Sequence, residues 1–229
     1  MASQAPIFTL YGNGIVVFQP KAETFPEPDA AGIPHSVPWR AARLDEGQIQ
    51  DLLEFALGQG GLGTARDVYL EGGVADVPNT VFTIRAGGLD KTVVVNALSG
   101  EAAAGPDAAA RAAFFKLAER LGDFDHGGSI STDVYQPEAY RGVLTPRDPD
   151  PAVSPLAWPW PSVKPADFKE GSNDGSGGVV LPHRSMTAAE IDALGVKDTV
   201  GGLQNVILKA PDGKTYGLTV RPLLPDEKE

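Results

Sequence analysis

Three turn signatures, each set between runs rich in β-branched and aromatic residues, constrain this chain more than any other feature. The first places Gly12-Asn13-Gly14 between Ile7–Tyr11 and Ile15–Phe18. Asn and Gly both tolerate positive φ, so an Asn-Gly pair in this setting predicts a hairpin closed by a type I′ turn. The second hairpin pairs Thr80–Arg85 with Lys91–Val95 across Ala86–Asp90, which contains Gly87-Gly88. The third pairs Asn205–Lys209 with Lys214–Val220 across Ala210-Pro211-Asp212-Gly213. Each turn supplies the Gly, Pro or Asp that its backbone needs.

Three helical patterns lie between the hairpins. In Gln48–Leu57 the apolar residues Ile49, Leu52, Leu53, Ala56 and Leu57 form one stripe, Asp45 with Gln48 makes a capping-box pattern, and Gly58 supplies the stop. In Asp107–Leu121 the residues Phe114, Leu117, Ala118 and Leu121 repeat that spacing, after Pro106 and before Gly122. A short third helix follows the capping-box pair Thr187 and Glu190, with Met186 and Ile191 placed for a hydrophobic staple and Gly195 as its close. Antiparallel pairs alternating with single helices predict an α+β fold in which helices cover one sheet face. The helix-then-hairpin unit at about 45–98 recurs loosely at about 187–224, a hint of two similar modules.

Composition divides the chain further. Of its 229 residues, 27 are Gly and 20 are Pro, above average usage yet below the level of a low-complexity chain. Residues 20–40 hold five prolines, which favour extended backbone. Residues 141–178 hold seven more and end in the Gly/Ser-rich run 171–178. The expected organisation is therefore an α+β module over 1–140, a Pro/Gly-rich linker or strap over 141–178, and a small helix-hairpin module over 179–229.

Charge and cysteine content exclude several activities. Thirty acidic against 19 basic residues give a net charge of −11, which argues against nucleic acid as a partner because phosphate affinity needs clustered cations. The absence of Cys removes disulfides, thiolate metal sites and cysteine nucleophiles. No apolar run approaches the length of a membrane span. The N-terminus has neither a basic nor an apolar leader region, which reads as cytoplasmic. A strand pattern starting at Ile7 equally suits a chain trimmed of a signal segment.

Chemistry-bearing motifs are sparse. Gly58-Gln59-Gly60-Gly61-Leu62-Gly63 matches G-x-G-x-x-G but follows a helix and leads into a strand-like run. A dinucleotide site needs the reverse order, so the motif reads as a connection and no cofactor is predicted. Asp123, Asp125 and His126 are the metal candidates, although the EF-hand pattern fails at Gly127 and Val134. The catalytic candidates are Asp76, Asp125, His126 and Asp133, the carboxylates suiting metal-assisted or acid–base hydrolysis. Each also suits a turn, a cap or a solvated surface. No G-x-S-x-G elbow or P-loop occurs. Trp158-Pro159-Trp160-Pro161 is the ligand-binding candidate. Two proline-held indoles can form a platform for a sugar, peptide or partner, or can clamp the strap onto the body. Trp39, after Pro38, pins the first Pro-rich segment in the same way.

A resemblance emerges from Phe8–Gly14, Asp76–Ile84, Lys91–Val95, Pro211–Tyr216 and Arg221–Glu227. The chain resembles uncharacterised secreted or lipid-anchored proteins of actinobacteria and their relatives. The resemblance implies a secreted or cell-envelope location and carries no activity; this sequence holds no Cys to accept a lipid. The expected function is a non-catalytic binding or interaction protein with an envelope ligand or partner protein. The alternatives are a hydrolase centred on 123–133 with Asp76, or a structural or assembly subunit.

Overall fold

A computed structural model describes residues 5–21, 26–71, 77–101, 105–126, 128–169 and 181–227. The fold is α+β. Its strands are β1 (Phe8–Leu10), β2 (Ile15–Phe18), β3 (Arg40–Arg43), β4 (Val68–Tyr69), β5 (Asn79–Ala86), β6 (Leu89–Asn96), β7 (Asp133–Val134), β8 (Ala139–Arg147), β9 (Leu156–Ala157), β10 (His183–Thr187), β11 (Leu203–Lys209) and β12 (Thr215–Pro222). Its helices are α1 (Glu46–Leu57), α2 (Ala108–Gly122) and α3 (Ala188–Asp192). The chain divides into two compact units. One contains residues 1–9, 17–42 and 131–229, the other residues 10–16 and 43–130. These limits do not follow the compositional boundaries at 140 and 178.

The first unit is built on a five-stranded sheet ordered β10-β8-β12-β11-β9. It runs antiparallel except where β9 joins β11 in parallel. Side chains alternate across β8 and β12, so Leu144 and Leu218 meet as register partners on the core face. Met186 and Ile191, the staple pair around the α3 capping box, are both fully buried there. A β-bulge between Leu203 and Val206 places Asn205 in the left-handed region at φ 52°. Four short strands form a second sheet ordered β1-β2-β3-β7.

Residues 141–147, read from composition as the start of the strap, lie in β8, an interior strand of this sheet. The reason is positional. Pro146 cannot donate, but β10 pairs only with residues 139–143, so β8 is an edge on that side by the time Pro146 is reached. Leu144 N–H donates towards that side, to Pro182 O at 2.9 Å, and Pro146 shares its parity. Its missing N–H therefore costs no ladder bond. The Gly/Ser run 171–178 lies outside the described residues.

The second unit packs α1 and α2 with a three-stranded sheet ordered β4-β6-β5. Helix α1 starts with a complete capping box. Asp45 Oδ1 accepts from Gln48 N–H at 2.8 Å, and Gln48 Oε1 accepts from Asp45 N–H at 2.9 Å. Phe114 and Leu117 of α2 lie with Tyr69, Phe82, Val93 and Val95 in one apolar cluster. Tyr69 meets Phe114 edge-on at 4.8 Å between centroids. The glycine-rich run after α1 is a packing turn: a Cβ on Gly60 would lie 2.8 Å from Ala56 O, and one on Gly63 2.7 Å from Leu57 O. The first predicted hairpin turn differs in type. Gly14 alone has positive φ, at 81°, and Gly14 N–H donates to Tyr11 O at 2.9 Å while Tyr11 N–H donates to Ile15 O at 2.8 Å. That is a three-residue loop ending in a left-handed glycine, not the two-residue type I′ turn expected of Asn-Gly.

Candidate interaction site

The hairpin β5–β6 is built by its turn. Gly87 and Gly88 have φ of 57° and 83°, the pair of positive values that a type I′ turn demands. The strands run eight residues each in unbroken register from Ala86↔Leu89 to Asn79↔Asn96. Pairs that exchange both backbone hydrogen bonds alternate with pairs that exchange none. Val94 N–H donates away from β5, to Asp67 O of the β4 side at 2.8 Å. The Val81↔Val94 pair is therefore one of the non-bonded pairs. By alternation so are Asn79↔Asn96, Thr83↔Thr92 and Arg85↔Asp90.

The consequence is a free ladder. The N–H and C=O groups of Asn79, Val81, Thr83 and Arg85 point off the outer side of β5, where no strand among the described residues pairs. Sheets usually protect such an edge with Lys, Pro, a bulge or a short strand. β5 has eight residues, no Pro, no Lys and no bulge.

The side chains of the same four residues stand on the face turned away from α2, and all four are exposed. Val81 is 56% exposed and Val68 49%. With Val94 between them in register, they form an apolar row across all three strands. Beside it run a Thr83–Thr92 row, with the hydroxyls 3.2 Å apart, and an Arg85–Asp90 ion pair at 3.2 Å. The opposite face is spent on the core through Phe82, Val93 and Val95. Among the described residues, one face and one edge of this sheet are thus left unpaired.

The residues singled out from sequence fall elsewhere. Asp76 lies outside the described residues. Asp123, Asp125 and His126 form the turn that ends α2. Asp123 N–H donates to Glu119 O at 3.0 Å, and Asp125 O accepts from the N–H groups of Gly128 and Ser129 at 3.0 and 2.7 Å. His126 has φ 45°, with Nδ1 3.3 Å from Arg120 Nη1 and 3.9 Å from Asp123 Oδ2. Asp133 is in β7, opposite Ala41, and exposed. Among the described residues no group of three or more His, Cys, Asp or Glu side chains is arranged to hold a metal ion.

Trp160 is 4% exposed and its Nε1 donates to Glu190 O at 2.8 Å. Trp158 is half-buried, donates to Val163 O at 2.7 Å and meets Trp160 edge-on at 5.0 Å. Phe168 and Tyr216 complete the aromatic cluster around Trp158. Trp160 is thus enclosed in the core with its polar end satisfied, the packing a clamp requires, and Trp158 is half-buried beside it. Trp39 is pinned in the same manner. It stacks on Tyr135 at 6.3 Å, and Tyr135 O–H donates to Leu223 O at 2.8 Å. Burial, with the nearby Glu138, Glu227 and Asp226 carboxylates, pushes the Tyr135 phenol up to about 12.

A cavity of about 400 Å³ in the first unit is lined by Gln19, His35, Ser36, Trp39, Gln204 and Arg221. Several of its polar groups are engaged with neighbours. His35 Nδ1 lies 3.2 Å from Asp198 O and Nε2 3.4 Å from Asp29 Oδ2. Backbone N–H donation from Ile33, together with His35, holds the Asp29 carboxyl below its ordinary range despite some desolvation. Gln204 Nε2 donates to Ser36 Oγ at 2.6 Å, and Arg221 forks onto Glu227 at 2.6 and 2.7 Å. Comparison with protein-family models, curated proteins and solved structures finds no match.

Proposed function

We propose that this protein is a non-catalytic binding protein, acting in the secreted or cell-envelope space that the sequence resemblance implies. It takes up an extended polypeptide segment by strand addition to β5. The observation that carries this reading is the unguarded edge: four residues, Asn79, Val81, Thr83 and Arg85, present outward backbone groups beside an exposed valine row. Strand addition derives affinity from main-chain hydrogen bonds and specificity from alternate side chains. The partner is accordingly an extended segment with a β-branched residue to continue the Val68–Val94–Val81 row. A net charge of −11 disfavours acidic segments through long-range repulsion.

The experiment is selection from a library of extended peptides, followed by titration against Thr83→Pro and Val81→Asp variants. Thr83 N–H points outward, so proline there removes a donor to the partner and leaves the β5–β6 ladder intact. Selected peptides are expected to bind the wild type and to lose at least about tenfold in affinity with Thr83→Pro, the loss of roughly one well-made hydrogen bond plus steric exclusion. Peptides that bind both variants as tightly as the wild type would refute strand addition at this edge.

A further inference from the structure

A second cavity, about 440 Å³, opens at the end of the five-stranded sheet between β8 and the β11–β12 turn. Arg147, Asp148, Lys214 and Thr215 line it, with Pro146 and Pro149 at its rim. We propose that it binds the phosphoryl group of a small anionic ligand. This is independent of strand addition at β5, which involves the other unit.

Register brings the groups together. Arg147 is the β8 partner of Thr215, and Lys209 is its β11 partner. Among the described residues neither Arg147 nor Lys214 makes a salt bridge, although Lys214 attracts the neighbouring Asp212 carboxylate through space. Arg147 is also oriented. Its Nη2 donates to Asn205 Oδ1 at 2.7 Å, which leaves the remaining guanidinium donors for a ligand. Asn205 is aimed by the bulge that puts it at φ 52°. Gly217 makes room for the arrangement. A Cβ there would lie 2.7 Å from Asn205 Oδ1, 3.1 Å from Arg147 Nε and 3.3 Å from Thr145 Oγ1. The turn bearing Lys214 is fixed as well, since Asp212 Oδ1 accepts from Lys214 N–H at 2.9 Å and Lys209 Nζ donates to Gly213 O.

The chemistry selects the ligand. A guanidinium fork suits tetrahedral oxyanions that accept two parallel hydrogen bonds. Lys214 adds a second cation and Thr215 a hydroxyl. Asp148 offsets one positive charge, so a monoanion gains little here. A dianion that engages Arg147 and Lys214 together gains from both. The distant excess of negative charge further disfavours weakly held anions.

The test is a titration of the whole chain with inorganic phosphate, followed through backbone amide resonances at constant ionic strength. Glycerol phosphate serves as the ester arm and acetate as the carboxylate arm. Saturable shifts are expected at Arg147, Lys214 and Thr215 with phosphate or its ester, and none with acetate. Tighter binding of glycerol phosphate than of free phosphate identifies an ester as the ligand class; the reverse identifies free phosphate. Arg147→Gln and Lys214→Gln, both exposed substitutions, are each expected to weaken binding about tenfold, the scale of one charge-assisted hydrogen bond. Asn205→Ala, which releases Arg147 without changing charge, should weaken it less. Shifts that fail to saturate, appear equally with acetate, or persist unchanged in both charge variants would overturn the proposal.

Discussion

Replacing Trp160 probes the clamp that closes the first unit. The indole is 4% exposed, packs edge-on against Trp158 at 5.0 Å and donates to Glu190 O at 2.8 Å. Trp160→Ala removes the ring and its hydrogen bond and leaves a void, a loss of about 3–5 kcal/mol. Trp160→Phe keeps an aromatic ring and deletes chiefly the Nε1 donor and part of the volume, which costs about 1–2 kcal/mol. Total stabilities are about 5–15 kcal/mol, so the alanine variant should lose a large fraction of the unit's stability. All three tryptophans lie in the first unit. Tryptophan fluorescence during urea unfolding therefore reports that unit, with Trp39 and Trp158 as signal in both variants. The expected order is wild type, then Phe, then Ala, with the two variants separated by about 1–4 kcal/mol. An alanine variant within about 1 kcal/mol of wild type, below the usual range for a buried large-to-small change, would refute the clamp.

Two further outcomes follow from single contacts. Glu227 is raised in pKa by burial, but the Arg221 fork and the Leu224 N–H outweigh this and hold it below its ordinary 4.5. Its contribution is therefore complete above pH 4.5 and is lost as the pH falls through the lower folded-state value. Glu227→Gln removes the charge from the fork on the nearly buried Arg221 while leaving its Nη1 bond to Pro222 O, so it should cost about 1–3 kcal/mol at pH 7 and weaken the acid-side decline in urea titrations. An acid limb identical to that of the wild type would contradict the assignment. Gly14→Ala places a Cβ 2.7 Å from Leu44 O at a φ of 81° and should cost about 1–3 kcal/mol in thermal unfolding; an unchanged midpoint would contradict the left-handed loop.

Elements closed by local chemistry were legible in the sequence. Asp45 with Gln48 and Thr187 with Glu190 form the capping boxes their spacing predicts. The hairpin at Pro211-Asp212-Gly213 forms with Asp212 Oδ1 accepting from Lys214 N–H. What depends on distant partners was not legible. Pro146 looked like the start of a strap because the halt of β10 opposite residue 143 is not written near it. The Trp-Pro pair was readable as either platform or clamp, because Glu190 and Tyr216, which help to enclose it beside the nearby Phe168, come from remote segments. Thr80–Arg85 was readable as a strand, but sheet order decides which of its edges is free. Likewise, Arg147 and Lys214 share a cavity only once β8 and β12 are paired. That residues 123–126 form the turn that ends α2 shows only in the hydrogen bonds their backbone makes.

The central claim, that β5 offers a free ladder, is tested most directly by residue-resolved amide exchange on the isolated monomer. Amides of Thr80, Phe82 and Ile84, which pair inward with β6, are expected to be protected, while those of Val81, Thr83 and Arg85 exchange at nearly unprotected rates. Protection that is uniform along β5, with Val81 and Thr83 as slow as Phe82, would mean the edge is already covered and would contradict the account.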